Sequence, residues 1–518
     1  MVIIGKILRN VYRDSIAMMR VATEVTQCEG VSRLEIVMGT PTNLGNLKVR
    51  HMYSAELDSA TANDTVIAIS AADEISALEA SRQAEEKLFQ KKEGSSLQHK
   101  TYFSLEAALH DNSRANLVLL SIPGMFVKRE ALTALYQGAN LMIFSDNVPL
   151  ADEVEIKTLA HEKGLLVMGP DCGTAILNGK GLGFANAVAR GPIGIVGASG
   201  TGIQEISCLL DQAGEGVSQC IGTGSNDIKE EVGGTSFLKG IEVLEHDLDT
   251  QVIVLVSKPP EPSVAKKILA RAVASGKPVV VCFLGSSELP NLSSKIVYTA
   301  TLEETAIEAL KLVGRNTVAL DFSEVRQKDT STRFQPTQKY IRGLFTGGTL
   351  AIESALILQQ TGLIVSTNFK VGRLPLMNDP MHSEGHVCLD LGDDNFTLGK
   401  PHPMLDPIMR KAFIEKEAAD PETAVLLLDF VLGYGVHPEP VAAILPSLNK
   451  AFDLANSHGR NLVMAASVCG TDADPQVRAK QVELLEQNGC LVFRSNAEAT
   501  RFAASLVSEL RSLEDLND

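Results

Sequence analysis

The chain has 518 residues, of which 45% are hydrophobic and 21% charged, with 41 glycines and no tryptophan. This length suits about three or four domains, and the composition favours packed α/β layers over an all-β sandwich. The net charge of −16 repels phosphate backbones, so nucleic-acid binding is not expected and an anionic ligand must be held by local dipoles.

Cysteines and apolar segments indicate the compartment. Eight cysteines are scattered without a CxxC pair, several inside apolar runs such as VVVCFLG, which is typical of buried thiols in a reducing compartment. The amino terminus lacks the apolar region of a signal peptide, and no apolar stretch reaches the about 18–20 residues of a membrane span. A cytoplasmic protein without a membrane partner is therefore expected.

Residues 1–95 are predicted to form an amino-terminal α/β extension. Strands are expected at RLEIVMG and TVIAIS, with a helix around residues 74–89. The polar run KKEGSSLQHK then predicts a linker over residues 91–100.

A parallel sheet is predicted over residues 96–189. The apolar runs NLVLLSIPG, NLMIFSDN and GLLVMGPDCGT alternate with helical stretches, and this alternation is typical of βαβ units.

Two further modules are predicted at residues 190–320 and 341–518, joined by a polar connection at 321–340. Four segments of the first match four of the second in the same order: SGTGIQE with GGTLAIE, SKPPEPSVAKKIL with GYGVHPEPVAAIL, GKPVVVCFLG with GRNLVMAASVCG, and TLEETAIEALKL with NAEATRFAASLV. The offset between matched segments grows along the chain, which indicates an internal duplication with insertions in the second copy.

The segment GPIGIVGASGTGIQE predicts a strand, a glycine-rich turn and a helix. This layout presents free backbone N–H groups and a helix N-terminus to an anion, so we expect a ligand contact at Gly197, Ser199, Gly200, Thr201 and Gly202. The turn matches neither GxxxxGK(S/T) nor GxGxxG, so a Walker-type nucleotide site is not expected. The alternative is a tight turn without a ligand.

The second module offers matching glycines at Gly347, Gly348, Gly433 and Gly435, with a hydroxyl at Thr349. If the two modules face each other, their helix N-termini oppose each other and could hold phosphate or a carboxylate between them.

Three polar side chains are candidates for the chemistry. Lys258 follows the strand VIVLVS and could bind an anion, His402 lies in the proline-rich segment GKPHPMLDP and could contact ligand or move a proton, and Asp171 could orient a ligand. Cys172 beside Asp171 is either a nucleophile or a structural thiol.

A metal site is not expected. His382 and His386 are four residues apart with Glu384 between them, but the glycine and extended pattern around them argue against the helix that would align them.

Several motifs together resemble a known family. LVMGPDCGTAI, GPIGIVGASGTGIQE and QCIGTGSNDI resemble the succinyl-CoA synthetase alpha subunit, and DLGDDNFTLGKPHPMLDP and VLLLDFVLGYG resemble the carboxyl-terminal domain of its beta subunit. The fused order resembles the FdrA family over nearly the whole chain. The resemblance implies an α/β fold, with a CoA-binding-like Rossmann domain at 96–189 followed by two flavodoxin-like synthetase-type domains.

The sequence departs from the synthetases in ways that affect the chemistry. The segment FLGSSELPNLSSKIVY has no histidine where that family carries its phosphohistidine, and Lys258 stands where it carries a glutamate. The early CoA-binding glycine loop has no counterpart in residues 1–100, and without an ATP-grasp domain no ATP is expected to bind this chain.

The FdrA resemblance implies a subunit of a carbamoyltransferase in purine-nitrogen breakdown. Oxalurate and phosphate would give oxamate and carbamoyl phosphate, and a carbamate kinase would act afterwards. Phosphate is then a co-substrate, CoA a candidate ligand, and a second subunit and an oligomer are expected. The alternatives are an NDP-forming acyl-CoA synthetase homologue, similar to succinate–CoA ligase, and a non-catalytic scaffold or metabolite-sensing subunit.

Overall fold

The computed structural model describes residues 2–11, 15–26, 28, 30–89, 100–286, 292–315, 334–397 and 401–514. The chain divides into two compact units: Met1–Lys100 with Thr397–Pro401, and Thr101–Phe396 with His402–Asp518. Residues 91–99 of the predicted linker and most of the predicted connection at 321–340 lie outside the described residues. None of the helices in the described ranges has the length and apolar character that crossing a bilayer requires.

The first unit is a three-stranded antiparallel sheet with helices, in which β3 lies between β1 and β2. Its elements are β1 (Val2–Leu8), α1 (Ser15–Thr26), β2 (Val31–Met38), α2 (Pro41–Val49), β3 (Thr65–Ala71) and α3 (Glu74–Phe89). Every residue of β3 is buried because helices and turns cover both faces of this central strand. The predicted helix at 74–89 is confirmed.

The second unit begins with a parallel sheet of order β4-β5-β6. Its elements are α4 (Leu105–Asp111), β4 (Leu117–Leu120), α5 (Gly124–Tyr136), β5 (Asn140–Ile143), α6 (Leu150–Glu162) and β6 (Val167–Met168). The buried ammonium of Lys157 on α6 donates to Thr223 O at 3.0 Å and to Asp227 Oδ1 at 2.8 Å, which ties this sheet to the module that follows.

A seven-stranded sheet of order β13-β12-β11-β9-β10-β7-β8 comes next, with β9 to β13 parallel and β7–β8 an antiparallel hairpin at one edge. Its elements are β7 (Thr174–Leu177), β8 (Lys180–Gly183), β9 (Arg190–Gly197), α7 (Gly200–Gln212), β10 (Val217–Gly222), α8 (Thr235–His246), β11 (Val252–Ser257), α9 (Pro262–Ala274), β12 (Val279–Phe283), β13 (Ile296–Tyr298) and α10 (Leu302–Leu312). Strands β11 and β12 are buried over their whole length and β9 is buried from Ile193 onward, as expected when helices cover both faces.

The last sheet is fully parallel, with order β15-β16-β14-β17-β18-β19. Its elements are β14 (Tyr340–Phe345), α11 (Gly348–Gln360), β15 (Val365–Thr367), β16 (His386–Asp390), α12 (Asp394–Thr397), α13 (Ile408–Ala419), β17 (Thr423–Val431), α14 (Pro440–Ser457), β18 (Val463–Cys469), α15 (Arg478–Gln487), β19 (Leu491–Phe493) and α16 (Asn496–Glu514).

The two larger sheets share one strand order, which supports the predicted duplication. Counted along each module, β10-β9-β11-β12-β13 and β16-β14-β17-β18-β19 both run 2-1-3-4-5, the flavodoxin-like order. Strand β15 and helix α15 have no counterpart among the described residues of the first module, and such insertions are consistent with the growing offset between the matched sequences. The predicted α/β fold class, with a Rossmann-like sheet and two flavodoxin-like sheets, is confirmed.

Equivalent helices also begin in the same way. Thr301 caps α10 by accepting from the backbone N–H of Glu304 at 3.1 Å, and Ser495 accepts from the N–H of Glu498 at 3.0 Å. Each glutamate reaches back to a backbone N–H before the helix, which completes a capping box at both places.

Glutamates cross between the modules at these same helix starts. Glu353 on α11 accepts from the backbone N–H of Leu302 at 2.7 Å, and Glu205 on α7 accepts from that of Asn496 at 3.2 Å. Both carboxyls are buried, and burial raises the pKa of Glu205 to about 7 and that of Glu353 to about 8. Each module therefore satisfies a helix N-terminus of the other.

Candidate functional site

A cavity of 230 Å³ lies at the carboxyl ends of strands from both duplicated modules. The strand order reverses beside β9 and β14, and ligands of open α/β sheets bind at such points. Nine of the residues expected to form the site line this cavity: Asp171, Gly197, Ser199, Gly200, Thr201, Lys258, Gly348, Thr349 and His402.

Helix α7 presents free amides to the cavity. Ser199 is its N-cap residue, and the Ser199 Oγ accepts from the backbone N–H of Gly202 at 3.0 Å. The N–H groups of Gly200 and Thr201 have no intrahelical acceptor because they belong to the first turn. Gly197 has a packing reason as well, since a Cβ there would lie 2.7 Å from Val256 Cγ1.

Helix α11 opposes α7, but an internal carboxylate already binds part of its N-terminus. The N–H groups of Thr346 and Gly347 both donate to Asp429 at 2.8 Å, and Arg410 donates to the same carboxylate at 3.1 Å. Gly347 therefore does not offer its amide to a ligand, in contrast to the sequence expectation. Gly348 and Thr349 remain at the cavity.

The two glycine-rich turns meet directly. Ser199 Oγ and Thr349 Oγ1 are 2.6 Å apart and share a hydrogen bond. A Cβ at Gly347 would lie 3.0 Å from Thr201 Cγ2, so the backbones pack closely at this point. The starts of α7 and α11 thus lie against each other, which is the condition under which the two modules could hold one anion between them.

Lys258 brings a positive charge to the cavity. It follows β11 directly and is partly buried. In the described part of the chain its ammonium has no hydrogen-bond or ion-pair partner, and no other lysine or arginine there lines the cavity. It acts electrostatically on Asp390, whose pKa it lowers against the stronger effect of burial. An unpaired cation beside two helix N-termini is an arrangement that attracts an anion.

His402 faces the same space as a neutral imidazole. Its Nδ1 lies 3.2 Å from the backbone N of Met404 and accepts that N–H, which leaves the proton on Nε2. Burial lowers the pKa of His402 to about 4, so the ring is uncharged at neutral pH. The side chain is therefore a hydrogen-bond donor at Nε2.

Asp171 and Cys172 also line the cavity. Asp171 Oδ2 accepts from Ser225 Oγ at 3.1 Å. Cys172 donates its thiol to Thr174 O at 3.6 Å, and burial raises the pKa of Cys172 to about 12. A thiol held this way is a structural group, and its role as a nucleophile is not supported.

Asp390, at the end of β16, does not itself line the cavity but lies against Gly348, which does, and sequence reasoning did not select it. Its Oδ1 accepts from the N–H of Gly392 at 2.9 Å, and burial raises the pKa of Asp390 to about 7. A sequence feature could have indicated it: Asp390 is the polar residue at the end of the apolar strand HVCLD. Lys258 stands directly after an apolar strand in the same way.

Besides Gly347, three selected glycines do not line the cavity. Gly202 lies inside the first turn of α7 and donates to Ser199. Gly433 and Gly435 pack against residues 183–185 instead: a Cβ at Gly433 would lie 2.6 Å from Phe184 O. These two glycines secure the segment that leads into β9.

The histidine pair at 382 and 386 does not form a metal site. His386 lies in β16, where its Nδ1 accepts from the N–H of Ile341 at 3.1 Å, whereas His382 is exposed and bonded to Asp379. The described residues contain no group of three or more His, Cys, Asp or Glu side chains that could hold a metal ion.

Family comparisons match three parts of the chain. Residues 1–102 match the family described as AllF, heavy metal-associated domain; residues 189–285 match CoA binding domain; and residues 344–506 match CoA-ligase. The protein YahF of Escherichia coli is 42% identical over 501 residues, which cover 96% of this chain and 97% of YahF. The chain belongs to the YahF family. Its two duplicated modules form an acyl-CoA synthetase-like scaffold.

Ligase subunits are more distant relatives of this YahF-family chain. The succinate–CoA ligase (ADP-forming) subunit alpha of Methanothermobacter thermautotrophicus is 31% identical over 146 residues, 28% of this chain and 48% of that subunit. The ADP-forming sulfoacetate–CoA ligase subunit SauD of Bilophila wadsworthia is 27% identical over 199 residues, 36% of this chain and 65% of that subunit. The chain thus spans about half to two thirds of these ligase subunits.

The residues of the first unit do not fit the metal that its family description implies. Residues 1–102 contain one cysteine, Cys28, whose Sγ donates to Gln83 Oε1 at 3.3 Å. A heavy-metal site usually needs more than one thiolate, and the described residues of this unit contain no group of three or more His, Cys, Asp or Glu side chains that could hold a metal ion.

Proposed function

We propose that this chain is the FdrA-type subunit of an enzyme that transfers a carbamoyl group, or a related acyl group, to phosphate. The proposed reaction is phosphorolysis of a ureido acid such as oxalurate, giving an amide and carbamoyl phosphate. A second subunit and a downstream carbamate kinase are part of this proposal.

One observation carries the proposal: the unpaired ammonium of Lys258 and the first-turn amides of α7 and α11 surround one cavity. Each of these groups prefers an anion, and together they supply charge and directed N–H donors from both modules. Phosphate satisfies such donors better than a carboxylate does, because phosphate presents more oxygens that can accept hydrogen bonds.

The neutral His402 extends this site from binding to catalysis. When phosphate attacks a ureido carbonyl, negative charge develops on the carbonyl oxygen, and Nε2–H of His402 is a donor that can stabilise it. A neutral donor does not lose its proton to the oxyanion as readily as an imidazolium would, which suits this role.

Phosphate would act directly and not through a phosphoenzyme of the synthetase type. Residues 278–298 contain no histidine, although the related synthetases carry their phosphohistidine soon after the strand that corresponds to β12. Direct attack on a carbonyl requires neither a covalent histidine nor a nucleotide on this chain.

The experiment is phosphate-dependent formation of carbamoyl phosphate from a panel of ureido acids, oxalurate first, with and without the second subunit. Lys258→Ala should lower kcat/KM for phosphate by about 100-fold or more, because it removes a charge-assisted contact in a low-dielectric site. Lys266→Ala, an exposed lysine on α9, is the matched control and should leave the rate unchanged. No carbamoyl phosphate from any ureido acid would contradict the proposal.

A second candidate, a homologue that still handles CoA thioesters, is favoured by the CoA binding match at residues 189–285. A thermal-shift titration separates the two: a strong shift with CoA and none with phosphate supports this candidate. A non-catalytic scaffold is the third. It predicts that the activity of the assembled complex survives the double substitution Thr201→Ala and Thr349→Val, which removes one hydroxyl from each of the two glycine-rich turns.

A further inference from the structure

Asp390 occupies a position that the proposed chemistry leaves without a role. We propose that Asp390 is a catalytic residue of this site, whose carboxyl takes the proton from the attacking phosphate and delivers it to the leaving nitrogen. The second transfer, from Asp390 to the leaving nitrogen, rests on the proposed function. The exchange of a proton between Asp390 and a bound anion does not.

The carboxyl of Asp390 is fixed beside the anion site. Its backbone N–H donates to Asn368 Oδ1 at 2.8 Å, and Asn368 Nδ2 donates back to Asp390 O at 2.9 Å. Oδ1 accepts from Gly392, whereas Oδ2 lies against Gly348, so closely that a Cβ on that glycine would overlap it. Gly348 is the first residue of α11 and lines the cavity.

Charges of both signs surround this carboxyl. Lys258 faces it from the first module, while Asp393 on the following turn and Asp429 at the end of β17 oppose its ionisation. Arg410 pairs with Asp429 and offsets that charge. The neutral His402 lies on the same side of Gly392 as Asp390, since a Cβ on this glycine would meet both His402 Nε2 and Asp390 Oδ1. The carboxylate is therefore poised between its two protonation states, which suits a group that both accepts and donates a proton.

An anion bound at the two helix starts would shift this balance. Its negative charge lies beside the carboxylate, and two adjacent anions in a buried site cannot both stay unprotonated. Binding should therefore place a proton on Asp390, which HPO₄²⁻ supplies from its own oxygen and which an anion without a proton, such as sulfate, draws from the solvent.

The transfer step then balances without any other reactant. An oxygen of HPO₄²⁻ forms a bond to the ureido carbonyl carbon, and its proton passes to the Asp390 carboxylate. The bond from that carbon to the substituted nitrogen breaks, its electron pair stays on nitrogen, and the proton of Asp390 completes the product amide. The net proton moves from phosphate to nitrogen, and Asp390 returns to its starting state.

The proton exchange is tested with inorganic sulfate, which has the shape of phosphate but does not titrate near neutral pH. Calorimetric titrations at pH 7 in buffers of different ionisation enthalpy count the protons taken up on binding. Because the pKa of Asp390 is raised to about 7, the full-length wild-type protein should take up about half a proton. Asp390→Asn should take up almost none and bind sulfate at least as tightly.

Asp406→Asn is the matched control, because Asp406 in the same module accepts a backbone N–H from Ile408 away from the cavity. Its proton uptake should equal that of the wild type. Asp390→Ser, whose side chain is smaller, repeats the test if the asparagine variant is unstable. Equal proton uptake in the wild type and the Asp390 variants, or no binding of sulfate by the wild type, overturns the inference.

The carbamoyl phosphate assay separates this inference from the proposed function. If both hold, Asp390→Asn lowers kcat by about 100-fold and removes the pH dependence near neutrality. Full activity with an unchanged pH profile in that variant overturns the role of Asp390 and leaves the proposed function intact. Proton uptake that depends on Asp390, without turnover of any ureido acid, overturns the proposed function and leaves the proton exchange standing.

Discussion

Individual residues in this cavity derive their chemistry from their surroundings. His402 is uncharged because burial disfavours its cation, and Lys258 keeps its charge available because the described residues give it no hydrogen-bond or ion-pair partner. The residues that could be predicted from sequence, Ser199 and Thr201, lie in a polar turn between a strand and a helix. The role of Asp429 could not be predicted. It lies within the apolar run VLLLDFVLG, and a single polar residue there does not show which amides its carboxylate binds.

We expect His402 to act without titrating between pH 5.5 and 8. Because its pKa is lowered to about 4, the imidazole is neutral across this range and should give no break in the pH profile of kcat. His402→Ala should lower kcat by about 100- to 1,000-fold through loss of the donor. The exposed His458 provides the control, since His458→Ala should leave kcat unchanged; a break near pH 6.5 that disappears in His402→Ala would contradict this role.

The first residues of α7 and α11 form a matched pair for a test of packing. A Cβ on Gly348 would overlap Asp390 Oδ2, whereas a Cβ on Gly200 meets nothing closer than Thr174 Oγ1 at 3.4 Å. Gly348→Ala should therefore lower the free energy of unfolding by about 1–3 kcal/mol. Gly200→Ala should change it little or raise it by about 0.5 kcal/mol. Urea unfolding measures both, and equal stability of the two variants would refute the assigned contact.

At the scale of elements, the most informative feature is the exchange of glutamates between modules. Glu205 lies six residues after Ser199, and Glu353 lies six residues after Gly347. The two glutamates therefore occupy the same position in the matched segments SGTGIQE and GGTLAIE. Their cross-module acceptance of helix N–H groups could not be predicted, because it depends on which faces of α7 and α11 meet. Elements with strong periodicity, such as α3, were predicted well, whereas the three-residue strand β15 carried too few residues to be recognised.

These glutamates predict a pH-dependent stability. Their pKa values are raised to about 7 and 8 in the folded protein, against 4.5 for the ordinary group. Between about pH 5 and 8 the folded state holds more protons than the unfolded state, so the free energy of unfolding should fall as pH rises. The double variant Glu205→Gln with Glu353→Gln should lose this dependence. The slope of its unfolding free energy against pH should differ from that of the wild type by roughly 1–3 kcal/mol per pH unit.

Urea unfolding at pH 5.5, 6.5 and 7.5 measures that difference. Glu308→Gln on α10 removes a carboxylate with an ordinary surface ion pair and serves as the control. A wild-type curve parallel to that of the double variant would rule out the raised pKa values.

At the scale of the whole molecule, duplication explains why one cavity collects donors from two modules. Two sheets with the same strand order place equivalent glycine-rich turns at equivalent strand ends, and those turns touch through Ser199 and Thr349. The order of the modules and the class of the fold could be predicted because both depend on repeated local patterns. The hydrogen bond from the amide of Gly347 to Asp429 could not be predicted, because Asp429 lies 82 residues further along the chain.

The central claim is that both modules hold one small anion between their helix starts, and a crystal structure grown with inorganic phosphate tests it most directly. We expect one phosphate in the cavity, about 3 Å from the first-turn amides of α7 and α11 and from the ammonium of Lys258. A cavity that stays empty at saturating phosphate, or turns that have moved apart with side chains between them, would contradict it.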